Sequence, residues 1–187
     1  MTADLSDLTG DYVLDPAHTR IGFVARHAMV TKVRGSFTEF EGSAHLDGED
    51  PSRSSARVTI QAGSIDTGVA QRDQHLRTND FLDVPTFPTI TFTATAVEPH
   101  GEGEYRVTGD LTVKGTTRPV PIDVEYTGHA VDPQGNLRVG LEGSVTINRK
   151  DFGVTWNAAL EGGGVLVGEK VVLEFDVSAV RQDGPTG

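Results

Sequence analysis

The sequence predicts an all-β fold, in which about eight antiparallel strands close into a barrel with one short helix covering an end. Three observations carry this. Apolar and polar residues alternate with a period of two through most of the chain, the pattern of half-buried strands. Turn-forming residues separate the alternating runs at short intervals, so successive strands are antiparallel neighbours. Glycine is abundant at 22 residues while aromatics make up 6%, a balance that favours strands and tight turns over helices.

From the N-terminus, residues 1–10 are small and polar and read as a flexible tail, as do 181–187, leaving 11–180 as one domain. Ile21, Phe23 and Ala25 share one face. Phe40, Gly42, Ala44 and Leu46 form the next apolar set, followed by Ala56, Val58 and Ile60, then Ile90, Phe92, Ala94 and Ala96. In the second half the sets are Tyr105 to Val113, Val120 to Tyr126, Leu137 to Ile147 and Val171 to Val177, each taken at every second residue. Asp47-Gly48, Gly101-Glu102-Gly103, Lys114-Gly115 and Asp132 to Asn136 supply the turns. Two segments break the rhythm. Arg26 to Lys32 reads as a short helix or a strand–loop junction. Val69 to Asp80 is the best helix candidate, with Thr67 as its cap, Asp73 and Arg77 placed to pair on its surface, and Val69 and Leu76 facing a barrel end. Pro85 and Pro88 then hold the chain extended.

Several of these runs reach ten residues, about 30 Å at roughly 3.3 Å per residue, against an average strand of about 5–6. An eight-stranded barrel is either filled by its own side chains or holds one small ligand. The inward positions alternate Phe23, Phe40, Phe92, Leu111 and Phe175 with Ala25, Gly42, Ala44, Ala56, Ala94, Ala96, Gly109 and Gly143. So sparse a lining leaves room for a ligand, the alternative being a packed structural or interaction barrel closed by its large residues.

Charge and composition narrow the function. With 16 Lys and Arg against 27 Asp and Glu, the net charge is −11, which opposes binding to nucleic acid and to anionic membrane faces. The absence of cysteine excludes disulfides and thiolate chemistry. The first ten residues lack a basic and an apolar region, so no signal peptide is read, and no apolar run is long enough for a membrane helix. A cytoplasmic protein without membrane insertion is expected. The six histidines show no metal-ligand spacing, and no phosphate loop or nucleophile elbow occurs.

The ordered motifs then become recognisable. Tyr12 to His27, Val33-Arg34-Gly35-Ser36-Phe37, Ser64 to Thr67, and Arg72-Asp73-Gln74-His75-Leu76-Arg77 leading to Asp80-Phe81 come first. Phe87 to Phe92, Val107 to Thr117, Ile147-Asn148-Arg149-Lys150-Asp151-Phe152-Gly153 and Val167 to Val171 follow. Together they resemble the YceI family of polyisoprenoid- or lipid-binding proteins over about residues 11–180. The resemblance implies a lipocalin-like extended antiparallel barrel with an amphipathic helix near one end. It also implies a tunnel for a polyprenyl chain, an isoprenoid quinone or a fatty-acyl ligand, and no other cofactor. Many relatives are exported, a departure from the leaderless N-terminus here.

The expected tunnel lining is Ile21, Phe23, Phe40, Val58, Ile60, Phe92, Leu111, Ile122, Val124, Val145, Trp156 and Phe175, with Trp156 sharing the parity of Phe152 and Val154. His27, Arg72, His75 and Arg149 are candidates for a polar mouth that meets a head group through charge-assisted hydrogen bonds. Each is equally a structural residue of a rim or turn. No catalytic residue is expected; an enzyme acting on a head group at the tunnel mouth is the alternative. Homodimerisation through a strand edge or the barrel side is compatible with this architecture.

Overall fold

The computed structural model describes residues 5–182; the expected tails at 1–4 and 183–187 lie outside the described residues. The described parts of those tails are integrated into the fold. Ser6–Leu8 forms a 3-10 turn whose Leu8 is buried, and Gln182 N–H donates to the Asp11 carbonyl at 2.7 Å. Eleven strands follow: β1 (Gly10–Leu14), β2 (Arg20–His27), β3 (Thr31–Phe37), β4 (Phe40–Leu46), β5 (Ser55–Gln61), β6 (Ile65–Asp66), β7 (Thr89–Gly101), β8 (Glu104–Val113), β9 (Thr116–Val131), β10 (Leu137–Asn148) and β11 (Val167–Arg181), with α1 (Ala70–Leu76) between β6 and β7.

Eight of them close a ring in the order β1-β4-β5-β7-β8-β9-β10-β11, with β11 returning to β1, and β2, β3 and β6 extend it beside β11. The fifteen-residue β11 makes this possible. One of its edges pairs with β10 along almost its whole length, while the other pairs with β2 over Val167–Asp176 and with β1 over Ala179–Arg181. β1 and β2 are thus two halves of one broken strand. At the break, Asp15 N–H donates to the Ser178 carbonyl (2.9 Å) and the Thr19 hydroxyl both donates to that carbonyl and accepts from Ser178 N–H (3.1 Å each). The backbone of β11 therefore stays satisfied where its partner changes.

The break is held electrostatically. Asp15 Oδ2 accepts from Arg138 Nη1 at 2.6 Å and pairs with His18 Nδ1 at 2.7 Å, and Oδ1 accepts from Ala17 N–H at 3.0 Å. Arg138 in turn donates through Nε to Asp132 Oδ2 at 2.8 Å, and Asp132 Oδ1 caps the β9–β10 turn through Gln134 and Asn136 N–H. The bonds from His18 and Arg138 lower the Asp15 pKa to about 2.

Two apolar clusters fill the ends. Leu8, Tyr12, Leu137, Val139 and Ala179 pack at the N-terminal end, where Tyr12 is 1% exposed and its hydroxyl donates to the Leu8 carbonyl at 2.7 Å. At the other end Ile60, Ala62, Ile90, Val120 and Phe152 form the larger cluster, with Leu82 and Val84 against it.

Four expectations are corrected. The helix is shorter than Val69 to Asp80, and Thr67 is not its cap. Val69 is the N-cap and makes no side-chain capping bond, while Thr67 N–H and hydroxyl both donate to Asp73 Oδ1 (2.9 and 2.5 Å). Asp73, 6% exposed, is consumed by that contact, so it does not pair with Arg77. Arg77 donates instead to the carbonyls of Gly63 and Ile65 (2.9 and 3.2 Å). Of the two readings of Arg26 to Lys32, the strand–loop junction holds and the helix does not: the segment is the end of a β-hairpin, with Arg26 opposite Lys32 and His27 opposite Thr31. In β7 the register shifts between Ala94 and Ala96, which sets Val97, not Ala96, opposite Val107.

Because Asp15 titrates lower when folded than its unfolded value of 3.8, its contribution is complete above 3.8 and is lost as pH falls towards about 2. Asp15→Asn should therefore unfold at a lower temperature than wild type at neutral pH. The gap between the two should close between pH 3.8 and about 2 in thermal unfolding followed by circular dichroism.

Candidate functional site

The inward side chains do not meet across the barrel. They leave a cavity of about 360 Å³ that runs from Tyr12, Val139 and Ala179 at the N-terminal end to Leu76, Phe81, Arg149, Phe152 and Val167 at the α1 end. Its size falls in the range of ligand pockets, about 300–1,000 Å³. The interior is therefore not closed by its own large side chains.

The hollow does not arise simply from small inward residues. Several glycines are covered by neighbours across the strand pair. A Cβ on Gly42 would meet Leu14 Cδ1 at 2.7 Å, one on Gly109 would meet the Thr93 carbonyl at 2.7 Å and the Phe92 ring, and Phe23 lies over Gly35 in the same way. Aromatic rings laid flat on a strand pair keep to the wall rather than crossing the centre. The alanines Ala25, Ala44 and Ala56 line the cavity, as does Gly143, where a Cβ would meet the Asp123 carbonyl at 3.0 Å. Ala44 and Ala56 face each other across β4 and β5 near the start of β5, a lining pair of two methyl groups.

Of the expected tunnel residues, Ile21, Phe23, Val58, Ile60, Phe92, Leu111, Ile122, Val124 and Phe175 line this cavity. Phe40 and Val145 do not; they are half-buried against the larger core cluster. Trp156 does not either. It follows the 3-10 turn Arg149–Phe152 in a segment that is not a strand, where parity with Phe152 has no meaning. Its ring stands against His75 (centroids 4.8 Å) and Phe81 (5.3 Å), outside the wall.

The four candidate mouth residues separate. His27 is exposed beside the β2–β3 turn and Arg72 is turned back onto Thr67, donating to its hydroxyl (2.7 Å) and carbonyl (2.8 Å). Neither lines the cavity. His75 pairs through Nε2 with Asp80 Oδ2 at 2.8 Å and stands edge-on to Phe81 and Trp156, over the α1 end but off the wall. Arg149 alone is a wall residue. It is 5% exposed, and its guanidinium donates to four backbone carbonyls: Gly168 (2.8 Å) from Nε, Val154 (2.7 Å) and Trp156 (3.0 Å) from Nη1, and Val167 (3.1 Å) from Nη2. Burial lowers its pKa while Glu169 opposes the shift. A buried cation held by carbonyls rather than a carboxylate organises the whole 154–168 segment. The sequence offers Arg149 as a mouth or turn residue but not as the clamp of this segment, since its acceptors lie up to nineteen residues away.

Little else on the wall is polar. The Tyr12 hydroxyl is spent on Leu8, and Ser43 and Glu142 are exposed residues of the strand pairs. Among the described residues no group of three or more His, Asp or Glu side chains is arranged to hold a metal, and no helix is long and apolar enough to cross a membrane. A second, open depression of about 670 Å³ lies along β8 to β11 and is bordered by Glu104, Glu125, Glu142 and Asp176, carboxylates that suit no apolar ligand.

A closed antiparallel barrel around an apolar hollow, with a short helix at one end, defines the lipocalin-like class of small β-barrels. Residues 12–179 match the YceI-like domain, and the chain belongs to that family. It is 41% identical over 179 residues to a UPF0312 protein of Pectobacterium carotovorum subsp. carotovorum, covering 95% of this chain and 90% of the relative. Among solved structures it is similar to Burkholderia cenocepacia BcnA (TM-score 0.78, 25% identity, 88% of this chain and 98% of that one). A polyisoprenoid binding domain from Saccharophagus degradans shares the fold (TM-score 0.70, 15% identity, 91% of this chain and 98% of that one).

Replacing Arg149 with Met keeps the stem but strands four carbonyl acceptors, at about 1–3 kcal/mol for each one left buried and unmatched. The variant should lose at least about 3 kcal/mol in urea unfolding. Arg149→Lys should recover only part of this, because one ammonium cannot reproduce the planar fork.

Proposed function

We propose that this protein binds and carries a long apolar chain inside the barrel without changing it chemically. The ligand class is a polyisoprenoid, an isoprenoid quinone or a fatty-acyl lipid. The observation that carries this reading is the cavity of about 360 Å³ walled almost entirely by aliphatic and aromatic side chains from both ends of the barrel. Left unfilled, apolar volume on that scale corresponds to about 9 kcal/mol at about 24 cal/mol per Å³. That is comparable to the whole net stability of a domain, about 5–15 kcal/mol. A hydrocarbon restores the missing contacts, whereas water finds few partners on such a wall.

Recognition is then by shape and dispersion along Ile21, Phe23, Val58, Phe92, Leu111 and Phe175, which lets related chains share the site. Arg149 uses four of its five N–H donors on the backbone, and the fifth is assigned to an oxygen of the ligand head at the α1 end. His75, paired to Asp80 beside Trp156, forms the rim there. Family membership and the polyisoprenoid binding domain of S. degradans support the ligand class. An enzymatic reading has no observation of comparable weight, since the His75–Asp80 pair lies off the cavity wall.

Native mass spectrometry and solvent extraction of the purified protein should release a lipid of one of these classes. Ala56→Trp, placing an indole opposite Ala44, should lower lipid occupancy while raising the unfolding temperature of the lipid-free protein. A protein that comes out empty and binds no polyprenyl phosphate, quinone or fatty acid defeats the reading.

A further inference from the structure

We propose that the tip of the β2–β3 hairpin is a docking edge that sets the α1 end of the barrel against an anionic phospholipid surface. The net charge of −11 is not evenly spread. Residues 16–38 contain no Asp or Glu but carry Arg20, Arg26, Lys32 and Arg34. Arg26 and Lys32 stand directly opposite each other on the paired strands, an arrangement that repels unless something anionic meets both. Lys32 and Arg34 are exposed and form no ion pair among the described residues.

Beyond these cations the tip is apolar. Met29 is 60% exposed and Val30 is 74% exposed. The turn between them and His27 puts Ala28 and Met29 at φ of 51° and 67°, a conformation that Asn and Gly adopt far more readily. Arg26 Nη1 braces it by donating to the Val30 carbonyl at 3.2 Å. Exposed apolar side chains ahead of three cations on one hairpin, Arg26, Lys32 and Arg34, are the composition of an interfacial anchor, which combines shallow burial among acyl chains with attraction to acidic headgroups.

The tip also stands where lipid transfer needs it. Ala28 N–H donates to the Leu166 carbonyl at 2.7 Å, His27 pairs with the cavity residue Val167, and Met29 lies against Gly164 next to the exposed Val165. Arg149 holds the Val167 carbonyl from inside. The acidic row Glu104, Glu125, Glu142 and Asp176 runs across β8 to β11 in register and reaches Arg20 at the opposite end of β2 from the tip. The same bilayer repels that row, so only one orientation is favoured.

The purpose of docking rests on the proposed lipid cargo, but docking itself is read separately. The full chain is floated with vesicles of phosphatidylglycerol and phosphatidylcholine in equal parts, at low salt, and with phosphatidylcholine alone. Wild type should float with the anionic vesicles and not with the neutral ones. Lys32→Glu with Arg34→Glu should lower the vesicle affinity at least about tenfold, and Met29→Ser with Val30→Ser should lower it about tenfold. Both variants should keep the wild-type unfolding temperature and bound lipid. Absence of flotation by wild type, charge-reversed protein that floats like wild type, or retention on heparin without flotation each overturns the proposal. Flotation of a protein shown to be lipid-free upholds docking and defeats only the cargo reading.

Discussion

Everything in this molecule depends on the hydrogen-bonded closure of the ring through β11. A barrel whose backbone groups are all paired around the circumference keeps its bore without a plug of side chains, because the wall is held by the ladder rather than by contacts across the centre. β11 closes that ring by serving three partners, β10 on one edge and β2 then β1 on the other. The change of partner would leave Ser178 unmatched in a greasy environment. Asp15 and Thr19 supply the missing donors and acceptor. The hollow therefore depends on a polar joint on its rim.

A second polar device sits at the opposite end. Arg149 converts a non-repetitive stretch of chain into a wall by binding four carbonyls at once. An isolated buried cation is costly, yet distributed carbonyl dipoles satisfy it without introducing a carboxylate at the cavity. A carboxylate partner there would place a second charge beside the hydrocarbon volume. The arrangement leaves the lining largely apolar while fixing the aromatic group of His75, Phe81 and Trp156 above it.

Much of the ring was legible in the sequence. The period of two in β7 to β11 is long and regular, and turn pairs such as Lys114-Gly115 adopt the left-handed conformations their chemistry suggests, with φ of 50° and 76°. What escaped reading depends on partners distant along the chain or on a local change of period. The β1–β2 break is fixed by Asp15 meeting Arg138, 123 residues away. Ala96 leaves the inward face because one bulge resets parity. Trp156 was misplaced by extending parity past the end of a strand. Asp73 and Arg77 have helical spacing for a surface pair, but the loop from Gly63 to Thr67 offers each a better partner. Tertiary hydrogen bonds overrode a weak helical preference there.

The rings of Phe23 and Phe92 lie over glycines on the adjacent strand while still lining the hollow. Calibre is thereby separated from scaffold. The glycine–aromatic couples pack neighbouring strands together, while Ala25, Ala44 and Ala56 contribute small side chains to the lining. Exchanging one small lining residue for a larger one would then narrow the lumen with the circumference and its pairing left as they are. The bore of such a barrel is thus adjustable independently of the ring that holds it.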